Sequence, residues 1–280
     1  TARVEKTLVL IDAHALIHRA YHALPDFRAK DGSPTGALYG LASIILKLVK
    51  ELKPDYLTAC YDLPGPTFRH EAYKEYKGTR AKADEDLIAQ LTSSRAIFTG
   101  LGIPIYAAPG FEADDIIGTI VHQVTKSDFE TSRSRTSPKV VIASGDMDTM
   151  QLIEDDRVLV YTLKKGLNET ILYDEDAVKK RFGFAPERLT DYKGLRGDPS
   201  DNIPGVPGIG EKTGTELVTE YGTLEEIYAH LDDLKPPVKK KLQEHRDEAF
   251  FSRELATIRR DAPIAFALTP WVMDIQKATV

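Results

Sequence analysis

Thr7-Leu8-Val9-Leu10-Ile11-Asp12 is a short apolar, β-rich run that ends on a carboxylate, and the same pattern recurs down the chain. Residues 56–61 form a second such run, ending at Asp62. Residues 103–107 form a third, followed by Pro109-Gly110 and an acidic helix start, Glu112-Ala113-Asp114-Asp115. Val140-Val141-Ile142-Ala143 is a fourth and leads to Asp146 and Asp148, while Val158-Leu159-Val160-Tyr161 and Thr170-Ile171-Leu172-Tyr173 add two more. Between the first two runs, Leu38, Leu41, Ile44, Ile45, Leu48, Val49 and Leu52 fall at helical spacing, closed by Pro54. Residues 84–101 read as a further helix, stopped at Gly102. Strand alternating with helix predicts an α/β fold with a mostly parallel central sheet flanked by helices. In such sheets ligands bind beyond the carboxyl ends of the strands. A single Asp at a strand end is commonly a helix cap. Four such ends along one edge make repeated capping a poor explanation.

The candidates on that edge and after it are Asp12, Asp62, Glu112, Asp114, Asp115, Asp146, Asp148, Asp198 and Asp201. Packing so many anions together raises their pKa values unless cations intervene. Hard divalent ions are the usual remedy, and Mg²⁺ or Mn²⁺ suits carboxylate and water ligands. Two such ions about 4 Å apart clamp a phosphodiester. Asp146 and Asp148 would point the same way if their segment is extended. Alone, Asp-x-Asp is weak and also occurs in phosphatases and calcium sites. His14, His18 and His22 recur at four-residue spacing, but no further His or Cys joins them in a zinc pattern, so exposed or packing roles are favoured.

The chain has 280 residues, no apolar run near the roughly 20 residues of a membrane span, no secretory signal and a first residue other than Met. That length suits one α/β core with a helical extension. Cys60 is the single cysteine, which fits burial in a reducing, cytoplasmic setting. The net charge is −6, yet setting the nine candidates aside from the 43 acidic side chains leaves 34 against 37 basic ones. Basic patches are then free to meet phosphate while the acidic cluster meets metal.

After about residue 186 the pattern turns helical with Gly and Pro punctuation. The domain reading is a catalytic core over 1–185, a DNA-binding helical region over 186–270 and an uninformative tail over 271–280. Residues 201–213, Asp-Asn-Ile-Pro-Gly-Val-Pro-Gly-Ile-Gly-Glu-Lys-Thr, lie between helical segments. Gly208 and Gly210 permit a tight turn whose amides face a phosphate, with Lys212 opening the next helix. This is a helix–hairpin–helix, which grips the DNA backbone without reading sequence. Residues 64–82 mix Arg69, Lys74, Lys77, Arg80 and Lys82 with Phe68, Tyr73 and Tyr76, which suits single-stranded nucleic acid. A solvated helical face explains such a run equally well. Residues 126–138 are polar and read as an exposed, mobile loop.

Leu10-Ile11-Asp12, Arg19-Ala20-Tyr21-His22, Tyr61-Asp62 with Phe68-Arg69-His70-Glu71, and Tyr76-Lys77-Gly78-Thr79-Arg80 together carry a resemblance. It continues through Gly110-Phe111-Glu112-Ala113-Asp114-Asp115, Gly145-Asp146-Met147-Asp148 and Gly197-Asp198-Pro199-Ser200-Asp201-Asn202. In order and spacing, from about residue 7 to 265, the chain resembles the 5′-nuclease (5′-3′ exonuclease) domains of bacterial DNA polymerase I, within the flap endonuclease family. The resemblance implies a PIN-like core, a helical arch over about 64–90, and a three-helix DNA-binding element. It implies hydrolysis of 5′ flaps and of 5′ ends at nicks, as in primer removal and Okazaki fragment maturation during replication and repair. Asp12, Asp62, Glu112 and Asp114 would lean toward one metal, and Asp115, Asp146, Asp148, Asp198 and Asp201 toward the other. Lys77 and Arg80 would stabilise the scissile phosphate, with Arg19, Arg69 and Tyr76 positioning the strand. A potassium ion would sit at the hairpin next to Val206 and Ile209. The implied partners are branched or nicked DNA with a 5′ flap and a DNA polymerase in cis or in trans, acting as a monomer near the nucleoid.

Ala13 stands where the family usually has Gly, Met147 replaces a typical Lys, and 126–138 is longer than usual. The chain ends where a polymerase I continues, so an excised domain and a stand-alone relative both remain open. A binding module without catalysis, a PIN-class ribonuclease and a structural calcium site are the competing readings. The intact acidic set, the hairpin and the dispersion of the ligands respectively argue against them.

Overall fold

The computed structural model describes residues 5–126, 137–167 and 169–273. Strand β1 (Thr7–Asp12) leads into α1 (Ala13–Ala23) and α2 (Gly36–Leu52), followed by β2 (Tyr56–Cys60). Short α3 (Phe68–Ala72) and long α4 (Glu85–Gly100) precede β3 (Ile105–Tyr106), α5 (Ala113–Lys126) and β4 (Lys139–Ala143). A 3₁₀ segment (Met147–Leu152), β5 (Val158–Lys165), β6 (Glu169–Tyr173) and α6 (Glu175–Phe182) complete the sheet-forming part. The strand order is β3-β2-β1-β4-β5-β6; β1 to β5 run parallel, and β6 is antiparallel to β5.

Why the sheet forms is visible in β1. Leu8, Val9, Leu10 and Ile11 are all buried, as a strand covered on both faces requires. Leu8 and Leu10 join Val140, Ile142 and the α5 residues Ile116, Ile117 and Ile120 in one core. Val9 and Ile11 join Val141, Leu57 and the α2 residues Leu41, Ile45 and Leu48 in the other. The two-residue period of a strand thus feeds two hydrophobic layers at once. Helix α2 ends where Lys53 turns left-handed at φ 46°, with Pro54 barring continuation. The third strand is shorter than the apolar run, because Pro104 lacks an N–H and Ile103 donates instead to Phe98 O.

Beyond the sheet the chain is helical: α7 (Leu189–Arg196), α8 (Glu211–Tyr221), α9 (Leu224–Ala229), α10 (Pro236–Glu244) and α11 (Arg246–Ala256). Buried Leu217, Leu224 and Leu242 of these helices, with Val206 and Ile209 from the α7–α8 connection, extend the same core that α5 covers. The expected arch is helical only at Phe68–Ala72 and from Glu85 onward, with turns between that carry Tyr76, Lys77 and Arg80 inward. The start of the tail has a role that the sequence did not reveal. Trp271 is buried, donating through Nε1 to Leu101 O and through its backbone to Asp55 O. The polar stretch expected to loop out at 126–138 falls, over 127–136, outside the described residues.

The order of strands fixes where a site can form. From β1 the chain builds outward through β2 to β3, then returns to place β4 on β1's other side. The carboxyl ends of β1 and β4 therefore flank a switch point, where the connecting loops diverge and leave a crevice. Asp12 ends β1, and Ser144-Gly145-Asp146 follows β4.

Candidate active site

At that switch point lies a cavity of about 730 Å³ lined by Asp12, Asp62, Glu112, Asp114, Asp146, Asp148 and Asp198. Asp12 caps α1: one oxygen accepts from Ala15 N at 3.0 Å and the other from Ser144 Oγ at 2.7 Å. Asp62 accepts from Ala113 N at 2.6 Å, tying the end of β2 to the start of α5. Its own N–H donates to His14 Nδ1 at 3.3 Å, so that nitrogen is an acceptor, and burial lowers the His14 pKa below the usual value. Asp146 and Asp148 are not on an extended segment. Asp146 caps the 3₁₀ turn, accepting Asp148 N at 2.9 Å, and the turn rather than alternation brings both carboxylates to the cavity.

The electrostatics are those of crowded anions. Burial pushes Asp12 up to about 7, with Asp62 and Asp146 adding to it against the hydrogen bonds from Ala15 and Ser144. Asp148 is likewise raised to about 7, by burial and then by Asp146. Asp114 is held well above the carboxylate range by burial and by Asp146, Asp12 and Asp148. Its Oδ1 is buried without a hydrogen-bond partner. Such an oxygen carries an uncompensated desolvation penalty unless something positive reaches it. A divalent ion fits this donor set. Among the described residues no three Asp, Glu, His or Cys side chains close into a direct metal cage. Mg²⁺ is compatible with that spacing, since it usually keeps several waters and takes only one or two carboxylates directly.

Protein cations meet the outer carboxylates. Lys77 Nζ donates to Glu112 at 2.6 Å, and Arg80 donates to Asp201. Lys77 sits at φ 55°, a left-handed conformation that costs a non-glycine residue roughly 1 kcal/mol. Its N–H to Asp201 O at 2.9 Å helps hold it there. Lys193 donates to both Asp148 and Asp198, and with its help Asp198 falls to about 2 despite burial. The Asp198–Ile203 bridge that positions these residues closes where Gly205 crosses Gly197; a Cβ on Gly205 would meet Gly197 N at 2.2 Å.

Several expected site residues are engaged away from the cavity. Asp115 is fully buried and does not line the cavity. It accepts Arg69 Nη1 at 2.8 Å and Nη2 at 2.9 Å, Glu112 N at 3.0 Å and Arg259 N at 2.8 Å. Those four bonds fill a carboxylate's acceptor capacity, leaving nothing for a metal. Arg69, expected to touch substrate, is 3% exposed and also donates to Leu255 O and Thr257 O. Tyr76 is buried, so it links Glu112 and Asp201 through its hydroxyl at 3.0 and 3.2 Å rather than offering a stacking face. Asp201 stands behind Arg80 and Lys77, off the cavity lining. Arg19 lines the cavity and is aimed by bonds to the carbonyls of Leu163, Lys164 and Gly166. His14, His18 and His22 all face the cavity from α1.

The hairpin is a separate feature. Gly208 takes φ 78°, and its carbonyl accepts Lys241 Nζ at 2.9 Å. Val206 O accepts Ile209 N at 3.0 Å, both side chains are buried, and Gly210 precedes α8 with Lys212 exposed. Lys193 and Ser144 were missed by sequence reasoning. The signal available for Lys193 was a lysine between buried Tyr192 and Leu195, one helical turn before Gly197-Asp198.

Two outcomes follow from this geometry. Asp115→Asn should lower unfolding stability by on the order of 3 kcal/mol by removing the charge that buried Arg69 grips with both Nη atoms and leaving it Glu112 at 3.1 Å as its one carboxylate, while leaving Mn²⁺ affinity unchanged; weakened Mn²⁺ binding in a folded variant would make it a ligand. Asp12 and Asp148 are raised in the folded state, so their contribution is full near pH 4 and lost as pH rises to about 7. Chelator-treated protein should therefore melt at lower temperature at pH 8 than at pH 5, and Mn²⁺ should raise the midpoint more at pH 8. An equal Mn²⁺ shift at both pH values would contradict these assignments.

Comparison with known proteins agrees with this architecture. Residues 7–183 match the model of the 5′-3′ exonuclease N-terminal resolvase-like domain, and residues 184–278 that of the 5′-3′ exonuclease C-terminal SAM fold. DNA polymerase I of Bacillus caldotenax is 40% identical over 95% of this chain, and that of Bacillus subtilis (strain 168) 39% over 94%. The chain spans 29% of the length of each of these relatives. The T5 5′-exonuclease, solved with bound zinc, shares the fold at TM-score 0.71 and 22% identity, covering 90% of this chain and 89% of that one. The catalytic core of Rad2 in complex with DNA substrate matches at 0.57 and 17%, covering 97% and 83%. With both halves matched in order by one family's models, the chain belongs to the 5′-3′ exonuclease family.

Proposed function

We propose that the chain is a structure-specific 5′ nuclease that hydrolyses DNA phosphodiesters at 5′ flaps and nicks with the help of divalent ions, Mg²⁺ or Mn²⁺. The observation that carries this reading is one cavity in which seven carboxylates face Lys77, Arg80 and Arg19, with Asp114 Oδ1 left unpartnered. Asp12, Asp62, Asp114 and Asp146 would hold one ion, and Asp148 and Asp198 would serve a second. The chemistry such ions bring when bound is Lewis-acid stabilisation of the phosphodiester and acidification of the attacking water.

The chain's own residues do the rest. Lys77 and Arg80 rest on Glu112 and Asp201, which keeps them preorganised and aimed at the cavity. A phosphate entering there gains two charge-assisted donors at little reorganisation cost. Arg19, braced by three carbonyls, offers a fixed positive rim. The amides before α8 and the exposed Lys212 would hold duplex phosphates away from the chemistry. At that hairpin the Val206 and Ile209 carbonyls would hold a potassium ion. Removal of primer-derived flaps during replication and repair is the corresponding role. The polymerase I relatives point to a polymerase acting in cis or in trans.

A labelled 5′-flap duplex with Mg²⁺ titrated in, read at nucleotide resolution, is the direct experiment. Cleavage should occur at the flap junction, require divalent ion, and fade at high salt as phosphate contacts are screened. Asp146→Asn should abolish it while largely sparing flap binding. Lys77→Ala should lower the single-turnover rate by roughly 100-fold with a smaller loss of affinity. Faster cleavage of single-stranded RNA than of flap DNA, or normal turnover by Asp146→Asn, would overturn the proposal.

A further inference from the structure

Lys193 lies on α7 and lines the acidic cavity. Its ammonium donates to Asp148 and, at 2.6 Å, to Asp198. All three groups are mostly buried, with side-chain exposures of 14%, 17% and 13%. Water and salt therefore screen this triad far less than a surface pair. The other half of the cluster is different. Among the described residues, Asp12, Asp62, Asp114 and Asp146 make no salt bridge to a lysine or arginine. One half thus holds a cation of the protein's own, and the other holds unmatched negative charge around the orphaned Asp114 oxygen.

We propose that Lys193 is a built-in counter-ion that makes the two halves unequal and so sets the order of metal loading. The Asp12–Asp62–Asp114–Asp146 half takes a divalent ion tightly. The Asp148–Asp198 half takes one only by displacing the ammonium, which means breaking two charge-assisted hydrogen bonds. Lys193 is therefore a positioning residue for the metal centre. This inference rests on the nuclease reading, because it presupposes that divalent ions enter the cavity. It differs from that reading in what it asserts: unequal affinities, with a protein side chain as the cause.

The test is Mn²⁺ binding to chelator-treated protein without DNA, followed by calorimetry and by the electron paramagnetic resonance of free Mn²⁺. The intact chain should show two classes of site whose dissociation constants differ by at least about tenfold. Lys193→Met should tighten the weaker class by on the order of tenfold and leave the tighter class nearly unchanged. Lys193→Arg keeps the charge and should keep the gap. Two sites of equal affinity in the intact chain would overturn the proposal, even if Lys193→Met failed to fold. So would a weaker class that Lys193→Met leaves where it was; in both cases the metal-dependent nuclease reading stands. No bound Mn²⁺ at all would overturn both.

Discussion

Like charges held close together in a buried place govern this molecule. Asp12, Asp114 and Asp148 are raised by burial and by one another, and each ionised form is unfavourable until a cation arrives. The protein tolerates the arrangement because the fold supplies partial compensation at the margins. Lys77, Arg80 and Lys193 pair with Glu112, Asp201, Asp148 and Asp198, and among the described residues Asp12, Asp62, Asp114 and Asp146 have no lysine or arginine partner. On the proposed reading, stability is given up at the place where a metal-dependent site needs charge.

The scaffold concentrates its strongest polar interactions directly behind that centre. Arg69 and Asp115 form a buried bidentate pair that also captures backbone at the start of α5, from the end of α11 and from the segment after it. The acidic cavity is thereby locked to the C-terminal helices across more than a hundred residues of chain. Tyr76 performs a similar service, joining Glu112 to Asp201. The Gly197–Gly205 crossing closes the loop between α7 and the hairpin, which brings Asp198 to the cavity and Asp201 to Arg80 behind it.

Much of this was legible in the sequence. Apolar runs ending in Asp predicted the strands and the acidic edge where they meet, since period and strand-end chemistry are local properties. The helices at 36–52 and 211–221 were also read correctly, because amphipathic spacing and Pro or Gly stops are local too. What could not be read was which member of an acidic pair faces inward. Asp114 and Asp115 are neighbours in sequence, yet one reaches the cavity and the other is consumed by Arg69 from a segment 46 residues away. Arg69 and Tyr76 look like ligand-binding residues by composition, and their burial, at 3% exposure each, is visible only in the fold. Lys193 carried no motif of its own, because its meaning depends on two carboxylates that tertiary folding brings to it. Asp146 and Asp148 met as expected, by a 3₁₀ turn instead of an extended strand.

The claim on which the rest depends is that the unmatched carboxylates between β1, β4 and α5 constitute a cation site. Anomalous diffraction from crystals soaked in Mn²⁺ addresses it without reference to catalysis. The account predicts an anomalous peak within the Asp12–Asp114–Asp146 group, at direct or one-water distance from Asp114 Oδ1. Peaks confined to surface carboxylates, with that group empty at saturating Mn²⁺, would contradict it.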